Sequence, residues 1–486
     1  MAHRSNGYRE AERQLLERKL GRARFLRLIG AGATLPFVPA SLAALGAQSS
    51  SAQTVPEILS QNGAYPIGVW TPPPPSETTP ARYGEIAAAG FNFVIGGNGV
   101  TTGPTPNDPT TDLHQRALDA AVANNLRFLI TDNILQNAVN GEVSPDRQSD
   151  VTQRIERLLE RYGPSPALAG LNLYDEPNSR LFGILGYAKE ELQQLAPEQL
   201  PYVNVWPSYA APKAWGARTY GKYLNRYLST VSPLLLSFDH YPLLSKGITT
   251  DYFYNWAVIR NFSRRFGVPS WGFIQSLGFS GRKLGLSRRR KPTEDELFWQ
   301  INVSLAYGAK GLQYFTYWTP DDPKIQSGNA LISRDGEQTE LYTYAQSANS
   351  YLKKVGKELL ALTSESVVHA KEKRLPRGAK AFRADGYIES VSGSPVILGR
   401  FSNPTVGTEQ YLLVVNRSLA NDANTRLTLT GSVTEVSRFD VATGTYTVLT
   451  TPEGAPLRNL SRVLEPGRAE LYWLRTTRYR SGLLVT

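Results

Sequence analysis

Between residues 65 and 318 the chain alternates apolar runs with amphipathic stretches, and it does so eight times. The apolar runs are Ile67–Trp70, Phe91–Gly96, Arg127–Asp132, Ala169–Tyr174, Tyr202–Trp206, Leu234–Asp239, Ser270–Gln275 and Leu312–Trp318. Strands separated by helical patterns need crossover connections, so these runs predict a parallel sheet. The helices carry their own signals. Thr79-Pro80 places proline in an opening turn and Gly90 closes it; Asp112–Ala123 has apolar residues at helical spacing; Thr293-Glu-Asp-Glu296 is a capping-box pattern. Eight such units predict an α/β chain folded as an eightfold (β/α) TIM barrel rather than an open doubly wound sheet. No Gly-x-Gly-x-x-Gly follows the first strand, which removes a dinucleotide fold.

After a long helical stretch, Glu340–Leu362, the texture changes. Short alternating strands follow: Ala381–Ala384, Val396–Phe401, Gln410–Val415, Arg426–Leu429, Val433–Phe439 and Leu471–Leu474. Turn signals at Asp385-Gly, Asn403-Pro and Thr443-Gly separate them, predicting a C-terminal all-β sandwich domain. The N-terminus reads differently again. Arg18–Arg27 is basic, Leu28–Leu45 is apolar and rich in small residues, and Gln48–Gln53 is polar, which together make an export signal. Arg22-Ala-Arg24-Phe25-Leu26 resembles a twin-arginine signal with an alanine between the arginines. A membrane anchor is the alternative. The short run interrupted by Pro36 and Pro39 favours cleavage, leaving no membrane span and a periplasmic or extracellular protein. The organisation is thus an export signal and linker (1–53), a barrel (54–365), a β-sandwich (366–476) and a basic tail (477–486).

Composition narrows the chemistry. The absence of cysteine removes disulfides, thiol catalysis and cysteine-bound zinc. Four histidines without ligand spacing argue against a histidine-built metal site, so no metal or cofactor is implied. The net charge is +11, but residues 1–47 alone carry eight Arg/Lys and three Glu. The remaining excess is spread over a large protein with no basic helix, so nucleic acid is not indicated as a partner.

The strand ends hold the chemistry. In a barrel they share one mouth, and here they supply Trp70, Asn98, Asp132, Asp175 with Glu176, Trp206, Asp239 with His240 and Tyr241, Gln275, and Tyr317 with Trp318. Carboxylates and amides suit hydroxyl groups, and aromatic rings suit the apolar faces of sugars. The sharpest signal is Ala167–Pro177, an apolar strand running into Asp175-Glu176-Pro177. Buried strands do not normally end in paired acids, because an unpaired buried carboxylate is costly.

These residues resemble the clan A glycoside hydrolases, whose fourth strand ends in Asn-Glu-Pro with the glutamate as acid/base. The resemblance covers residues 65–475, including Trp318 as a platform and the trailing β-sandwich. It implies a hydrolase of poly- or oligosaccharides with Glu176 as general acid/base and Asp175 on a sugar hydroxyl. One position departs from the pattern. The seventh strand, which would end in a nucleophilic glutamate, ends in Gln275, and an amide cannot form the glycosyl ester. Three readings follow: a nucleophile from another strand, Asp239 first and Asp132 next; two carboxylates activating water for inversion; or a barrel that binds glycans without cleaving them.

Each candidate also has a structural reading. Asp175 and Asp132-Asn133 can be turn or cap residues, Asp239 an ion-pair partner, His240 a hydrogen-bonding wall residue, and Trp206 and Trp318 core. Gly281–Lys291 carries six basic residues in the loop after the seventh strand. It reads either as a recruiter of anionic glycans or as a solvated charged loop, the latter favoured.

Overall fold

The computed structural model describes residues 59, 63–105, 108–281, 286–321, 326–406 and 409–477. The export reading of residues 1–53, its anchor alternative and nearly all of the basic tail lie outside these residues. Among the described residues, no helix is long and apolar enough to cross a membrane.

A closed parallel barrel forms the body of the chain. Its first seven strands are β1 (Ile67–Val69), β2 (Phe93–Ile95), β3 (Arg127–Thr131), β4 (Leu168–Asp175), β5 (Leu200–Val205), β6 (Leu236–Phe238) and β7 (Ser270–Gln275). The connection after β7 holds two short antiparallel strands, β8 (Phe279–Gly281) and β9 (Leu286–Arg289). The eighth barrel strand, β10 (Gly311–Phe315), pairs with both β7 and β1 and closes the cylinder. β11 (Gln326–Ser327) then adds to β8, making a small sheet from two of the loops beyond the barrel strands. The helices start where the capping chemistry puts them: Thr79 accepts from Arg82 N, Asp112 from Gln115 N, and Thr293 with Glu296 forms the capping box.

Large and small residues alternate inside the barrel. The rings of Phe93 and Trp271 lie 5.3 Å apart at its centre. They fit because β1 and β10 offer glycine opposite them. A Cβ on Gly68 would lie 2.2 Å from the Phe93 ring, and one on Gly311 would lie 2.5 Å from Trp271. The interior is therefore a packed core, and the space for a ligand lies above it.

The C-terminal strands are β12 (Thr363–Ala370), β13 (Ile388–Gly393), β14 (Val396–Ser402), β15 (Glu409–Asn416), β16 (Ala423–Leu429), β17 (Val433–Asp440), β18 (Thr445–Val448), β19 (Asn459–Leu464) and β20 (Ala469–Thr476). They form a six-stranded sheet, β12-β14-β15-β20-β17-β18, and a three-stranded sheet, β13-β16-β19. Alternate residues of the larger sheet enter two different cores. Leu398, Leu412 and Val414 pack between the sheets, whereas Ile397, Leu413 and Val415 join the core of the barrel helices. Burial on both faces makes β14 and β15 near-continuous apolar runs, the kind of strand a sequence reveals. The helix Glu294–Ala306 lies beneath that sheet and is buried at every residue from Glu296 onward. Gly399 permits the approach, since a Cβ there would lie 2.8 Å from the Ala306 Cα.

The sequence pattern does not mark β12, β13, β18 or β19. β12 opens on the polar run Thr363-Ser-Glu-Ser366, β13 buries only Ile388 and Val391, and β18 is an exposed edge. Conversely, the expected strand Ala381–Ala384 reduces to one bridge from Ala381 to His369.

Lys310 closes the bottom of the structure. Its buried ammonium donates to the carbonyls of Leu359, Leu360 and Leu362 at 2.6, 2.9 and 2.5 Å, satisfying the end of the helix Glu340–Leu360. Burial depresses its pKa to about 7. Lys310→Met is expected to cost roughly 2–3 kcal/mol by leaving those carbonyls unpaired, read as a lower midpoint of thermal or denaturant unfolding. An unchanged midpoint would contradict that role.

Candidate active site

The acidic lip is built by the end of β4. A bulge near Tyr174 offsets the pairing with β5, and the Glu176 N–H still donates to Asn204 O at 2.8 Å. Glu176 itself takes a left-handed backbone, φ 50°, a conformation that costs a non-glycine residue energy and clusters at functional positions. Pro177 follows, and its carbonyl accepts from Tyr223 Oη at 2.9 Å, so the strained turn is held from the helix Tyr220–Thr230, which follows β5.

These acids open into a cavity of about 380 Å³ lined by Trp70, Asp175, Glu176, Asn204, Trp206, Tyr209, Asp239, Tyr241, Phe273, Phe279 and Phe315. β4, β5 and β6 and the turns after them bring the acids, Asn204, Trp206, Tyr209 and Tyr241, while β1, β7, β8 and β10 bring Trp70, Phe273, Phe279 and Phe315. Those rings pack on one another: Trp70 on Phe273 at 5.7 Å between centroids, Tyr241 on Phe315 at 4.8 Å, and Phe279 on both Tyr241 and Phe315.

The polar floor is a connected network. Asn204 Nδ2 donates to Asp175 Oδ1 at 3.2 Å and to Asp239 Oδ1 at 3.1 Å. Its Oδ1 accepts from Ser237 Oγ at 3.1 Å, and Ser237 is in turn tied to Tyr202 and Gln313. Three barrel strands, β5, β6 and β10, thus fix one amide, and that amide orients two carboxyls. Glu176 and Asp239 also share a hydrogen bond.

Electrostatics order the three acids. Asp175 is exposed to the cavity yet ringed by protein, and burial lifts it to about 6 against the pull of Asn204. Burial, then the Asp175 charge, lifts Asp239 to about 7, while its bonds to Asn204 and Glu176 pull it down. Glu176 rises well above the carboxylate range through burial and the charges of Asp239 and Asp175. The Glu176–Asp239 pair therefore retains a shared proton at a pH where free carboxyls have lost theirs. Such a pair can give a proton from one member and a negative charge from the other.

Of the residues singled out in the sequence, Trp70, Asp175, Glu176, Trp206, Asp239 and Tyr241 line this cavity; Asn98, Asp132, His240, Gln275, Tyr317 and Trp318 do not. Asp132 caps the helix Asn133–Asn140 and pairs with Arg154 and His114. Burial opposes its ionisation, but those partners prevail and hold it at about 2. His240 bonds Asn255 and Thr249, bracing the loop after Asp239, and burial holds it near 4, hence neutral. Asn98 donates to Pro72 O. Tyr317 is buried, and Trp318 packs in the core with Arg82 over its ring. Sequence reasoning missed Asn204, Tyr209, Phe273, Phe279 and Phe315. Asn204 had a signal, since Tyr202 and Asn204 are polar at alternate positions of a buried strand.

Gln275 is fully buried. Its Oε1 accepts from Leu243 N at 2.9 Å, and its Nε2 donates to Arg290 O at 2.8 Å. It stitches the loops after β6 and β7 together. Gln275→Glu is expected to place a carboxylate oxygen against carbonyl oxygens and destabilise the fold by about 2 kcal/mol or more at pH 7. A variant of unchanged melting temperature would show that the amide has no such role.

A parallel eightfold barrel followed by a C-terminal antiparallel β domain is a fold that solved glycoside hydrolases also have. The chain is similar to a β-galactosidase from Bacillus circulans sp. alkalophilus, at 10% identity and a TM-score of 0.55, over 86% of this chain and 100% of that one. It is similar to a GH42 β-galactosidase from G. stearothermophilus, at 9% identity and a TM-score of 0.55, over 85% and 99%. Against a β-galactosidase from the psychrophilic Marinomonas ef1 it spans only 62% of that protein, at 13% identity and a TM-score of 0.47. No protein-family profile and no curated protein sequence matches the chain. These likenesses concern the fold.

Proposed function

We propose that the protein hydrolyses a glycosidic bond, with Glu176 as general acid/base and Asp239 as nucleophile. The observation that carries this reading is the gathering of Glu176 and Asp239 as a carboxyl pair in one aromatic-walled cavity, where burial and mutual charge raise both above the usual carboxylate range. Glycosidase carboxyls stand about 5–5.5 Å apart when retaining and about 6.5–9.5 Å apart when inverting. A pair in contact is nearer the retaining separation and leaves no room for a water between its members. Entry of the glycosidic bond would part the two.

Glu176 gives its proton to the glycosidic oxygen, which leaves as an alcohol with the bonding electrons. An Asp239 oxygen attacks the anomeric carbon and forms an ester. Water, losing a proton to the Glu176 carboxylate, then attacks that carbon, frees the sugar and restores Asp239. Asn204 would hold the Asp239 oxygen in line, and the rings would carry the apolar face of the sugar. The basic N-terminal stretch supports the further proposal that this chemistry occurs outside the cytoplasm.

The test is turnover of aryl glycosides and polysaccharides by the purified protein, with the anomer of the first product followed by NMR. Hydrolysis with retained configuration is expected. A folded protein that cleaves nothing in the panel would instead mark a glycan-binding barrel.

A further inference from the structure

Among the described residues, the three acids of the cavity have no positive partner. Elsewhere the chain pairs its buried acids: Asp132 with Arg154, Asp112 with Arg161 and Glu296 with Arg290. In the cavity, Asp175, Glu176 and Asp239 are surrounded by an amide and seven aromatic rings, and among the described residues the lining contains no lysine, arginine or histidine. The forces acting on these acids are burial, one another's charges and hydrogen bonds. Among the described residues, no group of three or more acidic or histidine side chains could hold a metal ion.

Chemistry at the anomeric carbon needs two carboxyls, which leaves Asp175 over. Asp175 opens into the cavity, and among the described residues its carboxyl accepts one hydrogen bond, from Asn204. A carboxylate facing an aromatic box is the arrangement that recognises an ammonium ion, by charge on one side and by the negative ring faces on the other. Of the basic loop, Arg289 donates to Tyr241 O and lies behind the cavity wall over the Tyr209 ring, Arg290 pairs with Glu296 and Lys291 with Glu340, while Arg282 and Lys283 lie outside the described residues.

We propose that the cavity takes a cationic sugar, a hexosamine whose free amino group sits as an ammonium against Asp175 and the facing rings. The inference rests on the reading that this cavity binds a sugar, and it sharpens the substrate class from any glycan to a de-N-acetylated one. It also excludes uronic and sulfated sugars at this position, since each would bring a further negative charge against Asp175 and the Glu176–Asp239 pair.

Calorimetric titration of the full chain at pH 7 tests it, using the methyl glycosides of glucosamine and galactosamine beside the hydroxyl, N-acetyl and uronic acid counterparts. The amino sugars are expected to bind about tenfold more tightly than the hydroxyl and acetamido forms, and Asp175→Asn to reduce that preference below about threefold. Equal affinity for neutral sugars, tighter binding of a uronate, or a preference unchanged in Asp175→Asn each overturns the inference. Hydrolysis of neutral glycosides with no amino preference would overturn it and leave the hydrolase reading standing. An amino preference without turnover would do the reverse.

Discussion

Replacing Glu176 by Gln is expected to lower kcat/KM by about 10³-fold, the range for loss of a general acid, while the protein stays folded. The fold should tolerate the change because a glutamine imitates the protonated carboxyl. Its Nε2–H can donate to Asp239 in place of the proton the two carboxyls share. What is lost is the transferable proton. Substrates with a good leaving group should suffer least, because their departure needs little protonation, so the deficit should shrink from an alkyl to a nitrophenyl glycoside. Equal turnover by variant and wild type, in a protein of unchanged circular dichroism, would falsify the assignment. The pH profile follows from the same pair. kcat/KM should rise as the pair loses its first proton near pH 7 and fall at higher pH as Glu176 loses the second.

Asp239→Asn is expected to abolish turnover and also to stabilise the protein. Asp239 is only 5% exposed, and its carboxyl titrates near 7 when folded against about 4 in an unfolded chain. The folded state therefore binds more protons between those limits, and stability falls as pH rises through that window. Asparagine removes the charge and keeps the acceptor for Asn204. The gain should be absent below about pH 4 and complete above about pH 7, with a rise in Tm of about 3 °C or more at pH 8. A Tm that falls, or a gain independent of pH, would contradict the buried charge. Azide added to Asp239→Gly should restore turnover as glycosyl azide, since a small anion can occupy the place of a missing nucleophile.

The acids and the amide differ in how far the sequence reveals them. Glu176 was legible because an apolar strand ending in two carboxyls and a proline has few structural explanations. Gln275 is in phase with Trp271 and Phe273 along β7, so strand alternation points it toward the mouth. The loops after β6 and β7 fold over it and consume its amide through Leu243 and Arg290, contacts that no local pattern encodes. Asp132 was misplaced for a related reason. Its neighbours on the strand suggest the mouth, but Arg154, far along the chain, draws its carboxyl into an ion pair.

The sequence by itself determined the repeating βα architecture, the apolar strands of the C-terminal domain that are buried on both faces, and the acidic lip after β4. All three are written in local periodicity and in residues whose burial is costly. Only the tertiary structure decided that Asp239 rather than the end of β7 meets Glu176, and that Asn204 joins Asp239 to Asp175. It also decided that Phe273, Phe279 and Phe315 face the acids across one cavity. The physical reason is that a barrel mouth is assembled from strands far apart in sequence. Which side chains face the space, and which are claimed by a neighbouring loop, depends on bulges and long-range hydrogen bonds that periodicity does not record.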